Sequence, residues 1–320
     1  MSDFGRIDGK TQLIGLLATP IKHSLSPAIA TPIKHSLSPA MHNLSFQKLG
    51  LNYAYMAFEV GNEQLANVVK GFRSLNIRGW NVSMPNKTKI LNLLDKLSPA
   101  AKFAEAVNTV VNEDGILIGH NTDGIGYVRG LKEEGIDIKG KRITLIGAGG
   151  AGTAIAIQCA IEGASEIHIF NRIDETFDRA VKNADTINRN IPNIDCIATA
   201  NSMDETEKLK YYIQRSDIVT NATCVGMKPL DGKSIIPDRS WLHSNLIVSD
   251  VVYIPRKTRL LEIAESAGCK AINGLGMMLW QGAEAFKIWT GQEMPVEYVK
   301  EQLFPDRLLD VKQTMITKAK

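Results

Sequence analysis

Between residues 142 and 152 the chain reads RITLIGAGGAG, an apolar run closed by glycines. Gly147, Gly149 and Gly152 satisfy G-x-G-x-x-G, with Ala148, Gly150 and Ala151 between them. That spacing signals a dinucleotide only where a strand precedes it and a helix follows. Here RITLIG reads as the strand and TAIAIQCAIEG as the helix. The first glycine then permits the tight turn, the second lets a pyrophosphate approach the backbone, and the third lets helix and strand pack closely. The helix N-terminus offers unpaired N–H groups to the anion. An ordinary glycine-rich turn is the competing explanation. The next strand, EIHIF, leads into Asn171, Arg172 and Asp174, where an adenosine ribose is read. An arginine there accommodates a 2′-phosphate and an acid favours two free hydroxyls, so Arg172 leans towards NADP and Asp174 towards NAD.

The first half of the chain holds a second set. Lys87 follows the turn SMPN, Asp123 sits in HNTDG, and Asn81 and Asn108 flank short apolar runs. Taking hydride from an alcohol carbon requires an acceptor for the hydroxyl proton. A lysine serves where its surroundings lower its pKa, and a neighbouring carboxylate can orient it. A charged pair bridging two domains without chemistry would look the same. His23 and His35 read as hydrogen-bonded loop groups, and no His/Asp cluster has metal-ligand spacing, so no metal is expected. Cys159, Cys196, Cys224 and Cys269 form no CxxC pair and read as reduced, buried thiols.

These residues need a scaffold. At 320 residues the chain is too long for one growing core, which predicts two domains. A net charge of +3 with interleaved signs gives no reason to expect nucleic acid or a membrane surface. The polar start MSDFGRIDGK lacks a secretory core, so the cytoplasm is the expected location. TQLIGLL, residues 53–60, WNVSM, residues 108–112 and residues 116–118 read as strands, with the Asp114-Gly115 turn joining the last two. Helices are expected from Ser38-Pro39 with Ser38 as cap, from Asn62 as cap, over 87–97, from Ser98-Pro99 and over 125–131. Further strands are expected at 166–170, 217–222, 246–253 and 270–272, followed by the helix MMLWQGAEAFKIWT. The second half has the rhythm of a doubly wound parallel sheet.

Residues 18–29, ATPIKHSLSPAI, recur at 30–41 as ATPIKHSLSPAM. The repeat stops after two copies, so it is a local duplication rather than a solenoid. The second copy is continuous with the helix at Pro39, whereas a helix begun from the first would meet Pro32 within a few residues. Ser36 and Ser38, not Ser24 and Ser26, are therefore expected at a functional helix entrance.

SLSP, NVSMPNK at 81–87, AVNTVV at 106–111, GHNTDG at 119–124, GAGGAG, FNR at 170–172, NAT near 221, VVYIP at 251–255 and GLGMMLWQGA at 274–283 occur in an order that resembles the shikimate dehydrogenase family, most closely its quinate/shikimate branch. The resemblance covers residues 11–300. It implies an α/β protein of two domains: an N-terminal α/β catalytic domain (1–122) plus a Rossmann-type doubly wound nucleotide-binding domain (123–273), with C-terminal helices (274–320) returning to the first. It implies Lys87 as acid/base paired with Asp123, and Ser36 and Ser38 on the substrate carboxylate. Asn81, Ser83, Asn108, Asp123 and Gln281 would bind ring hydroxyls, and Tyr253 would close the pocket. Gly147 to Gly152 would hold the pyrophosphate, with Thr223, Val251 and Gly274 near the nicotinamide. Shikimate and quinate are the implied substrates, and a homodimer follows by analogy. Ser83, Asn86 and Asp174 resemble the quinate-tolerant branch, which can use NAD, so NAD is the expected cofactor with NADP as the second. A dehydrogenase for another cyclic acid and a non-catalytic dinucleotide sensor are the alternatives.

Overall fold

The computed structural model describes residues 7–19, 36–174, 176–191 and 195–304. The first SLSP copy and the tail beyond Phe304 lie outside the described residues.

Two six-stranded sheets carry the chain. The first contains β1 (Gln12–Ala18), β2 (Tyr53–Glu59), β3 (Gly79–Val82), β4 (Lys96–Leu97), β5 (Thr109–Glu113) and β6 (Ile116–His120), in the order β2-β1-β3-β5-β6-β4. It is mixed, because β5 runs antiparallel to both β3 and β6 while β1 pairs in parallel with β2 and β3. Asp114 and Gly115 adopt positive φ at 51° and 89° and close the β5–β6 hairpin, as a DG pair predicts.

The second sheet contains β7 (Arg142–Ile146), β8 (Glu166–Asn171), β9 (Ile197–Ser202), β10 (Ile218–Asn221), β11 (Ile247–Asp250) and β12 (Lys270–Ile272), ordered β12-β11-β10-β7-β8-β9. All its pairings are parallel. Such strands are buried on both faces, which explains the unbroken apolar runs RITLI and EIHIF. The order reverses between β7 and β10, the switch point where such sheets bind ligands.

The helices are α1 (Ser38–Leu49), α2 (Asn62–Ser74), α3 (Asn86–Lys89), α4 (Pro99–Ala104), α5 (Asp123–Glu133), α6 (Gly150–Ile161), α7 (Phe177–Arg189), α8 (Thr206–Arg215), α9 (Arg259–Ser266), α10 (Leu275–Thr290) and α11 (Val296–Leu303). After the second sheet, α10 returns to the first. Its Leu279, Phe286 and Trp289 join Met41, Phe46 and Tyr55 in one buried core, and Leu65, Trp80 and Val110 pack the opposite face of that sheet. α10 also lies along α5. A β-carbon on Gly126 would sit 2.5 Å from the Gln281 nitrogen, and one on Gly130 would sit 3.0 Å from Gly276, so the two backbones meet closely because glycine stands at the seam.

Several expected boundaries move. The helix expected over 87–97 breaks into α3, a 3-10 turn at Ile90–Leu93 and strand β4. The cause is Asp95, whose N–H bonds Leu117 O at 3.0 Å while its carboxylate accepts the Leu117 N–H at 2.7 Å, drawing the chain onto β6. Ser38 is not the cap of α1. It is the first helical residue, Leu37 holds the cap position, and the Ser36 hydroxyl accepts the Ser38 N–H at 3.3 Å. Asn62 likewise opens α2 behind a Gly61 cap. The strand expected to run to 253 stops at Asp250, whose carboxylate accepts the Val252 N–H at 3.0 Å and turns the chain.

Candidate functional site

The ends of β1 and β3, the entrance of α1 and the first turn of α5 converge on a cavity of about 290 Å³, whose far wall is the N-terminal half of α10. Ser36, Ser38, Asn81, Ser83, Lys87, Asn108, Asp123, Ala151, Val251, Tyr253, Gly274 and Gln281 all line it. The structure thus brings the polar residues expected from the first half together with contributions from the second sheet and α10.

Lys87 stands on α3 and Asp123 opens α5. Lys87 Nζ donates to Asp123 Oδ2 at 2.6 Å. A carboxylate in the first turn of a helix is favoured by the helix dipole. Asp123 Oδ1 accepts from Asn108 Nδ2 at 2.8 Å, so the acid is held from both sides. Both groups are mostly buried, which strengthens the pair relative to one at the surface.

Asn108 is saturated by its protein partners. Its amide hydrogens go to Thr122 Oγ1 and Asp123, and its Oδ1 accepts from Thr109 Oγ1, the Thr122 N–H and Thr122 Oγ1. A ligand hydroxyl that took one of those hydrogens would have to displace Thr122 or Asp123. Asn81 is almost as fully occupied. Its amide donates to Asn108 O and Thr109 Oγ1, and its Oδ1 accepts the Tyr55 hydroxyl at 2.7 Å, which leaves one acceptor position for a ligand.

Tyr55 and Thr122 escaped the sequence reading. The Tyr55 ring is buried in the α1/α10 core while its hydroxyl bonds both Asn81 and Ser38. Burial pushes that phenol far above its ordinary range, so it stays a neutral donor. In sequence Tyr55 is one aromatic among several in YAYMAF and nothing singles it out. Behind it, His42 stacks on the Tyr55 ring at 4.6 Å between centroids. Burial lowers the His42 pKa to about 3, so its imidazole is neutral. Met277 and Met278 of α10 complete the apolar part of the wall.

The glycine loop opens beside this cavity. Gly147 has φ 106°, and a β-carbon on Gly152 would strike Gly147 O, so those two glycines are demanded by the backbone. Gly149 and Gly150 differ, because a β-carbon on either would meet nothing within 4 Å. They leave an open face over the first turn of α6, whose N–H groups have no intrahelical partner. That face suits a pyrophosphate. Asn171, at the end of β8, accepts the Ala148 N–H at 3.0 Å and ties the loop to the next strand. Beyond it Arg172 is largely exposed and pairs with Asp174 at 3.3 Å, and Asp174 also accepts the Thr176 N–H and hydroxyl. Those contacts hold the Asp174 carboxyl below its ordinary range. Thr223 packs on Gly147 and bonds Asn221. Gly147 to Gly150, Gly152, Asn171, Arg172, Asp174 and Thr223 lie outside the cavity wall. Among the described residues no group of three His, Cys, Asp or Glu could hold a metal, and no helix is long and apolar enough to cross a membrane.

Comparison with known proteins gives the same picture. The profile of the shikimate dehydrogenase substrate binding domain matches residues 28–110, and that of the shikimate 5'-dehydrogenase C-terminal domain matches residues 274–304. A shikimate dehydrogenase (NADP(+)) of Listeria monocytogenes is 58% identical over 299 residues, covering 93% of this chain and 98% of that one. A quinate/shikimate dehydrogenase of Escherichia coli is 50% identical over 295 residues, covering 92% and 97%. The crystal structure of shikimate 5-dehydrogenase from Listeria monocytogenes in complex with shikimate and NAD superposes with a TM-score of 0.87 at 58% identity, over 93% of this chain and 98% of that one. With this identity sustained over nearly the whole of both chains, the chain belongs to the shikimate dehydrogenase family.

Proposed function

We propose that this protein catalyses the reversible oxidation of shikimate to 3-dehydroshikimate, and of quinate to 3-dehydroquinate, with NAD or NADP as hydride carrier. The observation that carries the reading is the Lys87–Asp123 pair, 2.6 Å apart, on the wall of a cavity otherwise lined by neutral hydrogen-bonding groups and apolar side chains. A proton carrier with a fixed orienting acid is what an alcohol–ketone interconversion needs.

The dinucleotide supplies the hydride chemistry when bound. The side chains of this protein do the rest. Ser36 and Ser38 hold the substrate carboxylate beside the entrance of α1, where N–H groups face the anion. Asn81, Ser83 and Gln281 orient the ring hydroxyls, and Asn108 joins them by exchanging its bond to Thr122 or Asp123 for one to the ligand. Lys87 gives a proton to the oxygen of the ketone as it is reduced and takes it back in the other direction. Asp123 keeps Nζ aimed at that oxygen. Tyr253 closes the pocket. Gly147, Ala148, Gly149, Gly150, Ala151 and Gly152 hold the pyrophosphate. Asn171, Arg172 and Asp174 meet the adenosine ribose. Thr223, Val251 and Gly274 border the nicotinamide. Residues 1–122 act as the substrate domain and 123–273 as the nucleotide domain, and the chain from residue 274 belongs with the first, to which α10 and α11 return. By analogy with the family, the enzyme works in the cytoplasm as a homodimer.

The test is the rate at which reduced nicotinamide appears, with shikimate and quinate each offered NAD⁺ and NADP⁺. Turnover of shikimate with either cofactor supports the reading. Binding of dinucleotide without turnover of either acid overturns it in favour of a sensor, and turnover only of a different cyclic acid corrects the substrate.

A further inference from the structure

Asp250 closes strand β11 and is fully buried, yet it forms no ion pair with any Lys, Arg or His among the described residues. Its carboxylate is held by neutral donors alone. Oδ1 accepts from Asn221 Nδ2 at 2.9 Å and from the Val252 N–H at 3.0 Å, and Oδ2 accepts the Thr258 hydroxyl at 2.7 Å. Its pKa stands at about 6, raised by burial and partly restored by these three hydrogen bonds. At pH 8 it is an anion in a region of low polarity with no counter-charge of its own. An isolated buried anion is costly, and the structure shows what it organises.

Two links, one of hydrogen bonds and one along the chain, lead from Asp250 to the carboxyl ends of the second sheet. Asn221 accepts the Thr223 N–H at 3.0 Å and the Thr223 hydroxyl at 2.6 Å, and Thr223 lies against Gly147. On the other side, Val251 follows Asp250 directly, lines the cavity, and is so close to Gly274 that a β-carbon there would strike its carbonyl. In a doubly wound sheet a dinucleotide lies across the carboxyl ends of the strands, with its pyrophosphate at the first strand-to-helix turn and its two nucleoside halves on either side. Here that turn follows β7 and the ribose-reading strand would be β8, so the nicotinamide half would fall over the ends of β10 and β11. Those ends carry Asn221 and Asp250. The oxidised nicotinamide ring is a cation and the reduced ring is neutral.

We propose that Asp250 sets the balance between the two redox states of the bound cofactor, its unpaired buried carboxylate favouring the oxidised, cationic nicotinamide over the reduced one. The proposal rests on the cofactor reading given above. It makes Asp250 an electrostatic positioning residue that touches neither substrate nor cofactor.

Asp250→Asn removes the charge and can keep every hydrogen bond. The amide oxygen takes the place of Oδ1, and the amide nitrogen faces Thr258, whose hydroxyl can accept as well as donate. Asp250→Ser gives a smaller neutral side chain for the same comparison. Thr258→Val is the control, because it removes a hydrogen bond and leaves the charge. The readout is equilibrium binding at pH 8: NADPH by its fluorescence and NADP⁺ by competition, repeated with NADH and NAD⁺. The expected result is a change in the ratio of the oxidised to the reduced dissociation constant of roughly three- to tenfold against the oxidised form in both Asp250 variants. That is the range for two unit charges that do not touch and interact through a medium between protein and water in dielectric. Thr258→Val is expected to leave the ratio unchanged. An Asp250 variant that weakens both forms equally, or neither, overturns the proposal and leaves Asp250 a structural tie. Absence of dinucleotide binding by the unaltered protein would instead overturn the cofactor reading itself.

Discussion

Lys87 Nζ and Asp123 Oδ2 lie 2.6 Å apart although 36 residues separate them in sequence, because α3 follows β3 and α5 follows β6 at the same end of the first sheet. Asn108 holds the second carboxylate oxygen. Lys87→Ala is expected to lower turnover by roughly 10²-fold or more, the scale for a positioned acid/base group, with a smaller change in KM for shikimate. Steady-state rates at saturating substrate check this; near-native turnover would remove Lys87 from the proton path.

The duplicated segment gives a paired comparison. Ser36 and Ser38 line the cavity, and Ser38 is bonded to Tyr55. The double change of Ser36 and Ser38 to Ala is expected to raise KM for shikimate tenfold or more, since losing hydrogen bonds to a charged group costs about 1.5–3 kcal/mol each. The same change at Ser24 and Ser26 is expected to leave KM within a factor of about two, because Ser36 and Ser38 already stand in the cavity wall. The opposite pattern assigns the pocket to the first copy.

Tyr55→Phe keeps the ring in the core and removes only the hydroxyl that bonds Asn81 and Ser38. Stability is expected to fall by about 1 kcal/mol, the net worth of a buried hydrogen bond. KM for shikimate is expected to rise several-fold while turnover at saturation holds. Denaturant melts and initial rates on the same preparation separate the two effects, and an unchanged KM would limit Tyr55 to a packing role.

Asp174→Ala frees Arg172 from its carboxylate partner and, on the proposed ribose-reading role, removes a negative charge that would oppose a 2′-phosphate. The ratio of kcat/KM for NADP⁺ to that for NAD⁺ is expected to rise several-fold. If the ratio is unchanged, Asp174 lies outside the ribose pocket and its bonds to Thr176 are only a turn.

His42 makes stability fall with acid. Its native pKa of about 3 lies below the unfolded value near 6.5, so the unfolded chain binds a proton that the native state refuses. The contribution is intact above pH 6.5 and is lost as pH falls towards 3. Between pH 7 and 5 it amounts to about 2 kcal/mol. Asp250 works in the opposite sense over part of that window, since its raised pKa gains stability as pH falls. The test is therefore a difference: denaturant unfolding at both pH values for the wild type and for His42→Phe. The variant is expected to lose about 2 kcal/mol less on acidification, and equal losses would show that His42 is hydrated in the native state.

The sequence carried the second sheet well, because buried parallel strands write themselves as short apolar runs and the glycine loop has a fixed spacing. The first sheet was less legible. β4 is two exposed residues whose place depends on Asp95 bonding Leu117, a contact 22 residues distant. Cap positions also shifted, because Ser38 and Asn62 have the right chemistry one residue inside the helix and the backbone turned at Leu37 and Gly61. Lys87, Asp123 and the glycines were visible as residue types in suggestive turns. Tyr55 was not, since its function is a hydroxyl at the end of an otherwise buried ring. The arrival of Gln281 at the cavity followed from family resemblance, since the sequence of α10 predicts a helix but not which sheet it covers.

The glycine seam between α5 and α10 bears on how such a protein can be rebuilt from parts. Asp123 and Gln281 approach the cavity from helices in contact at Gly126, and both helices begin where the chain enters or leaves the second sheet. A chimera that took its nucleotide-binding half from a relative would import one side of this seam and keep the other. A single methyl group at position 126 would then press on the Gln281 backbone and lift that wall of the cavity away from the acid/base pair. The two helices therefore have to be exchanged together, which puts both crossover points of such a chimera inside the second sheet, after α5 and before α10, and not at the junction between the halves.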